Sequence, residues 1–284
     1  MPEILYIELI KGDNRIIAGG REFGQDFNLV SAAGLDSPDY SVSIQSSGSN
    51  DGGYIASAKL DKRPIKLVFD VEREIEGQIE RVRGLCEPHD DITIIVHRGN
   101  TIRSAIGRVE GFRVSQETIY HEARITISIL CPFPYFKGEP ASKNNVERIP
   151  AIKFPLSVPP TGLAAGYLLL AANLRIENSG NTNAGIVAKL VFTGPVTNPK
   201  IINLVTGEYI RLINAFEAGD ELIISTATKN KYVKCNGTNC IHKVDRSSVF
   251  FSLIPGENVI GYNADSGYSN LSIYVSCTPL FLGV

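Results

Sequence analysis

"IKLVFDVEREIEGQIERVRGLC" occupies Ile65 to Cys86, and a change of period inside it decides the fold. Ile65 to Val71 is β-branched and aromatic, is introduced by Pro64, and reads as a strand. From Glu72 the apolar residues fall at Ile75, Ile79, Val82 and Cys86, which is one face of a helix over 72–86. Glu72, Glu74 and Glu76 fall in its first turn, with Arg81 and Arg83 near its end, and both signs suit the helix dipole. Gly77 and Gly84 each weaken the helix by about 1 kcal/mol relative to alanine. Pro88 prevents continuation.

Around this helix the chain reads as strands. Ile4 to Ile10 and Arg15 to Ala18 flank the turn cluster Lys11-Gly12-Asp13-Asn14, which is a hairpin pattern. Gly19-Gly20 and Gly24 lack the spacing of a dinucleotide fingerprint and read as loop. In Asp39 to Gln45, Tyr40, Val42 and Ile44 share one face while Ser41 and Ser43 share the other. Ile92 to His97 is joined to a long strand, Thr101 to Val114, by a Gly99-Asn100 hairpin loop. Gly107 and Gly111 mark bulges or bends in that long strand. Thr118 to Leu130 alternates most cleanly, with Ile119, Ala123, Ile125, Ile127 and Ile129 on one side. Alternating strands are buried on one face, and several of them wrapped around one amphipathic helix predict a small, open barrel over 1–137. Its open strand edges would need a partner.

Residues 138–170 concentrate prolines 140, 150, 155, 159 and 160 with Gly162 and Gly166, and read as a linker with an extended crossing segment. From 171 to 284 short strands alternate with turn signals at roughly ten-residue spacing, the pattern of a β-sandwich. The strands expected there are Leu174–Glu177, Ile186–Phe192, Lys200–Leu204, Tyr209–Ile213, Glu221–Ser225, Lys231–Cys235, Cys240–Val244, Val249–Leu253, Asn258–Tyr262 and Leu271–Val275.

Bulk properties exclude several classes. The net charge is -2, with 16 basic and 20 acidic side chains in residues 1–137 and 12 and 10 in the rest. Neither part has the basic excess that binds phosphate backbones, so no nucleic-acid partner is expected. The N-terminal apolar stretch is broken by Glu3 and Glu8 and lacks a basic n-region, so no secretory signal is read. The longest apolar run, Leu163 to Leu174, is about half of what a membrane span needs. A cytoplasmic origin and no membrane contact are expected.

Candidate sites are few. Cys235, Cys240 and His242 form C-x4-C-x-H, which lacks a nearby fourth zinc ligand. The two cysteines otherwise flank a hairpin tip at Asn236-Gly237, free or joined once a particle leaves the cell. The histidines at 89, 97, 121 and 242 are scattered, and no G-x-S-x-G or H-E-x-x-H occurs. Asp90-Asp91, Glu217 and Asp220-Glu221 read as solvated turns. No catalytic residue, cofactor or metal is expected. The loop from Ser46 to Gly53 is rich in Gly, Ser, Asn and Asp, but Gly52-Gly53-Tyr54 leads into a β segment and not into the helix that a phosphate loop needs. Ser46, Gly48, Asn50, Asp51, Gly52, Gly53 and Tyr54 are read as an arm, a long β excursion ordered by a neighbouring molecule.

Three stretches resemble the distal tail proteins of long-tailed phages, the Dit family. They are Gly34-Leu35-Asp36-Ser37-Pro38 with Arg63-Pro64-Ile65-Lys66-Leu67; Glu177-Asn178-Ser179-Gly180-Asn181-Thr182 with Gly194, Asn198-Pro199-Lys200-Ile201 and Thr206-Gly207-Glu208; and Leu253-Ile254-Pro255-Gly256-Glu257-Asn258. The resemblance implies an N-terminal split β-barrel with one helix and a C-terminal galectin-like β-sandwich. It further implies a homohexameric ring at the virion tail tip, or baseplate, that joins the tail tube protein to the tail-associated (tail-fibre hub) protein and, in many members, to receptor-binding proteins. Such a protein is made in the host cytoplasm, often from a prophage, and is not an enzyme. The excursion around Ser46 to Ala58 falls where the family has a ring-building arm. The competing reading is a carbohydrate-binding module for host-surface adhesion. Against it, the chain has no tryptophan, and Tyr209, Tyr232, Tyr262 and Tyr268 do not cluster in sequence.

Overall fold

A computed structural model describes residues 4–20, 27–46, 48, 51–116, 122–150, 166–170 and 173–284. The chain is mainly β with one α-helix, and it divides into two compact units, residues 1–139 with 281–284 and residues 140–280.

The first unit is built on β1 (Ile4–Lys11), β2 (Asn14–Gly19), β3 (Phe27–Ala33), β4 (Tyr40–Ser46), β5 (Gly53–Leu60), β6 (Arg63–Val71), α1 (Ile75–Leu85), β7 (Ile92–Arg98), β8 (Thr101–Ser115) and β9 (Ala123–Cys131). The β1–β2 and β7–β8 hairpins turn at the expected Lys11–Asn14 and Arg98–Thr101 positions. The expected residues Gly24 and 118–121, with Ile119 and His121, lie outside the described residues. The helix begins three residues later than the charge pattern suggested, because Glu74 adopts a left-handed conformation, φ 46°. Only Glu76 is therefore an acid of the first turn. Val82 and Leu85 are buried against the barrel core, with Ile75 and Ile79 packed beside them.

The expectation of an open barrel is corrected. The strand order β8-β7-β1-β2-β3-β6-β9 is closed by a β8–β9 pairing, which makes a seven-stranded barrel. The cause is the length of β8. Its first half, Thr101 to Gly107, pairs with β7, and its second half, from Arg108, pairs with β9. A bulge between Val109 and Gly111 turns the strand from one neighbour to the other. Gly107 allows the approach, since a Cβ there would lie 2.8 Å from Cys131 Sγ, Ile129 and the Leu130 carbonyl. The seam of the barrel is β2–β3, a parallel contact registered only at Ala18–Phe27 and Gly19–Asn28. The alternating residues Ile65, Leu67, Phe69, Ile125, Ile127 and Ile129 fill the interior.

The second unit is a sandwich. One sheet orders the strands Ala141–Asn144, Leu271–Cys277, Ala184–Phe192, Glu221–Ala227, Asn230–Cys235 and Thr238–Asn239, with Ser252–Leu253 on the side. The other orders Asn173–Asn178, Gly256–Asn263, Lys200–Asn203 and Tyr209–Arg211. Of the stretch read as linker, Ala141–Asn144 is an edge strand of this unit and Val146–Pro150 pairs with Gly166–Leu170; 151–165 lie outside the described residues. The expected strand Cys240–Val244 is instead a short 3-10 turn, Ile241–Lys243.

Buried asparagines explain the turn-rich stretches of this unit. Asn178 donates to the Thr182 and Leu253 carbonyls at 3.0 and 3.1 Å and accepts from the Gly180 N–H. Asn258 clasps Ile254 from both sides, accepting from its N–H at 3.1 Å and donating to its carbonyl at 2.8 Å. Each satisfies buried backbone groups that the sheets leave over. Among the described residues no helix is long and apolar enough to cross a membrane.

If Gly107 closes the barrel, Gly107→Val destabilises it by about 2–3 kcal/mol through overpacking. Urea unfolding followed by barrel-specific probes measures this, and an unchanged midpoint contradicts the closure role.

Candidate functional site: an uncovered hairpin

The arm residues lie on a hairpin that stands apart from the barrel sheet. β4 and β5 pair only with each other. The Asp61 N–H donates to the Asp39 carbonyl at 3.0 Å and closes the base. Toward the tip, Ser46 pairs with Gly53, and the Tyr54 hydroxyl donates to Gln45 at 2.6 Å. Gly48 and Gly52 take φ of 63° and 94°, which suits glycine. Gly53 permits close pairing, because a Cβ would meet the Gln45 carbonyl at 2.5 Å. Asp51 is exposed at the tip, and Asn50 lies outside the described residues.

The pairing sorts the side chains by face. Tyr40 faces Leu60, Val42 faces Ala58, and Ile44 faces Ile55. Ser41 faces Lys59, Ser43 faces Ser57, and Gln45 faces Tyr54. One extra residue, Ala56, bulges between Ser57 and Ile55 and puts Ile55 on the apolar face. The result is an amphipathic ribbon with no core beneath it. Tyr40 is 60% exposed, Ile44 69% and Ile55 67%. A two-stranded hairpin is marginal in water, and its two unpaired edges invite another chain.

The other candidates are structural. Cys235 and Cys240 are joined as a disulfide across the Asn236-Gly237 tip, which settles the alternatives left open for the C-x4-C-x-H pattern. His242 is exposed on the following turn. Among the described residues no group of three His, Cys, Asp or Glu could hold a metal ion. Asp91 pairs with Arg108 at 2.7 Å, and Asp90 with Lys11 at 3.3 Å. The Glu217 N–H and the Asn236 amide hold the Asp220 carboxyl below the usual carboxylate range and close that turn. Buried Glu8 pairs with Arg15 at 2.8 Å and lies 3.0 Å from His97 Nε2, a cluster that sequence spacing did not reveal.

Shallow grooves are present among the described residues. One, about 410 Å³, runs over the outer face of the sandwich beside Ser142, Asn144, Lys189, Tyr274 and Ser276. Another, about 360 Å³, crosses the barrel wall between Lys66 and Arg113 over Thr126, Ser128 and Gly111. Tyr262 and Tyr268, apart in sequence, stack at 5.3 Å, but Tyr262 is buried and offers no open platform.

Comparison with known proteins agrees with the fold. Residues 179–276 match the family model described as siphovirus-type tail component, C-terminal domain. The SPP1 Dit protein, described as a paradigm of the hub adsorption apparatus in phages infecting Gram-positive bacteria, superposes with a TM-score of 0.68 over 97% of this chain and 99% of its own, at 14% identity. A chain of the phage P2 baseplate in its Ca-activated conformation gives a TM-score of 0.54 over 96% of this chain and 97% of its own, at 10% identity. The corresponding Sr structure gives 0.51 over 95% and 97%, at 9% identity. No curated protein sequence matches.

Burial pushes the Cys86, Cys131 and Cys277 thiols up to about 11, so at pH 8 almost no thiolate is present. Ellman titration of the oxidised native protein should find no reactive thiol, three after unfolding, and five after unfolding and reduction. Rapid native labelling contradicts the burial, and five thiols without reductant contradict the disulfide.

Proposed function

We propose that this chain, whose residues 179–276 carry the siphovirus-type tail component domain, is a structural hub of a phage tail tip or baseplate and not an enzyme. The observation that carries the reading is the uncovered apolar face of the β4–β5 hairpin, on a chain whose whole length follows the fold of a tail hub protein. Six copies form a ring, each covering the hairpin of the next. Such a head-to-tail contact closes when its rotation closes. The ring joins the tail tube protein to the tail-associated protein and offers a platform for receptor-binding proteins. The arm comprises Ser46, Gly48, Asn50, Asp51, Gly52, Gly53 and Tyr54 with the apolar face behind them.

Glycan binding by the sandwich is a second reading, favoured by Tyr274, which is exposed beside Lys189 and two serines in the outer groove. A glycan array without binding removes it.

The hub reading is tested with the double variant Ile44→Asp, Ile55→Asp. Both positions are exposed within one copy, so its own stability should change by no more than about 0.5 kcal/mol. Sedimentation velocity and negative-stain imaging, alone and with purified tail tubes, should show six-fold rings for the native chain and single copies for the variant. Rings that persist in the variant overturn the arm. A native chain that forms no ring on tubes overturns the hub.

A further inference from the structure

The barrel unit is completed by residues far from it in sequence. Phe281–Val284 follow the whole sandwich yet belong to the barrel unit. Three arginines of that unit hold their main-chain oxygens. Arg63 donates to Leu282, Arg103 to Gly283 and Arg98 to Val284. In the other direction the Val284 N–H donates to the Leu35 carbonyl at 3.0 Å. The Arg103 guanidinium lies 3.8 Å from the centre of the Phe281 ring, a cation–π contact. Phe281 and Val284 also pack against the barrel core. A Cβ on Gly283 would come within 3.2 Å of the Leu35–Asp36 main chain, a tight contact with backbone that a larger side chain would worsen.

Arg63 ties the arrangement together. It is 1% exposed, and besides Leu282 it donates to the carbonyls of Pro134 at 2.7 Å, Gly34 at 2.8 Å and Asp36. Its guanidinium sits 4.5 Å from the centre of the Phe136 ring. The hydrogen bonds of this buried cation all go to main-chain oxygens. Losing one leaves a donor unsatisfied in a dry site, which costs more than the bond itself contributes.

We infer that Phe281–Val284 is a strap: the barrel unit carries a cleft for an extended peptide, lined by Arg63, Arg98, Arg103 and the Leu35–Asp36 backbone, and these four residues fill it in cis. Domains usually fold in the order they are made. Here the N-terminal unit reaches its full stability only after the sandwich that precedes the strap in sequence has been synthesised. The inference stands on contacts within the barrel unit and does not depend on the tail-tip reading.

Hydrogen exchange with peptide-level mass spectrometry tests it on the full chain, a variant lacking 281–284, and Gly283→Val. The sandwich strands Ala184–Phe192 and Leu271–Cys277 serve as the internal control. The amides of β7, of the first half of β8 and of residues 33–36 should exchange at least about tenfold faster in the altered chains, with the sandwich unchanged. Gly283→Val carries the test by itself if the shortened chain is insoluble. Native exchange rates in the barrel overturn the strap, and so does an equal loss of protection in both units.

Discussion

An apolar face in water gains by being covered, and among the described residues nothing covers that of the β4–β5 hairpin. Tyr40, Val42, Ile44 and Ile55 project from one side of a two-stranded ribbon, and the other side carries Ser41, Ser43, Gln45, Tyr54, Ser57 and Lys59. Burying such side chains is worth about 1.5–3 kcal/mol each. That is enough to hold a ribbon in place on a partner, and its absence is enough to leave an isolated ribbon marginal.

The remaining sheet edges make this hairpin stand out. The barrel closes through the β8–β9 pairing, with the short β2–β3 contact as its seam. Three of the sandwich edges are short or carry polar and charged side chains, and the fourth, Asn173–Asn178, carries Arg175 and Glu177 on its exposed face. Ala141–Asn144 carries Ser142 and Lys143, while Thr238–Asn239 and Tyr209–Arg211 are only two and three residues long. On this hairpin, unpaired edges and the exposed apolar face of Tyr40, Val42, Ile44 and Ile55 coincide. Sequence reasoning expected open barrel edges and, separately, an excursion around Ser46 to Tyr54; the barrel is closed, and the excursion is a projecting hairpin.

Local pattern made much of this legible. The switch from period two to period 3.6 after Val71 located the helix, and the Gly99-Asn100 hairpin and the Tyr40-Val42-Ile44 face were read from spacing alone. What stayed hidden depended on partners distant in sequence or on single backbone angles. The late start of the helix follows from the left-handed Glu74. The side on which Ile55 lies depends on the bulge at Ala56, which no alternation rule can place. Barrel closure depends on how β8 divides itself between two neighbours. The chain leaves the disulfide-bonded Cys240 in a short 3-10 turn, Ile241–Lys243, where propensity favours a strand. Nothing near Arg63 in sequence shows that it is buried and bonded to Leu282.

The most direct test of the central claim is hydroxyl-radical footprinting of the hairpin, read residue by residue in the single chain and in the assembled ring. If neighbouring copies cover the apolar face, Tyr40, Val42, Ile44 and Ile55 are labelled strongly in the single chain and become protected on assembly, while Ser-rich residues of the opposite face change less. Equal labelling of these four residues in both states would contradict the account.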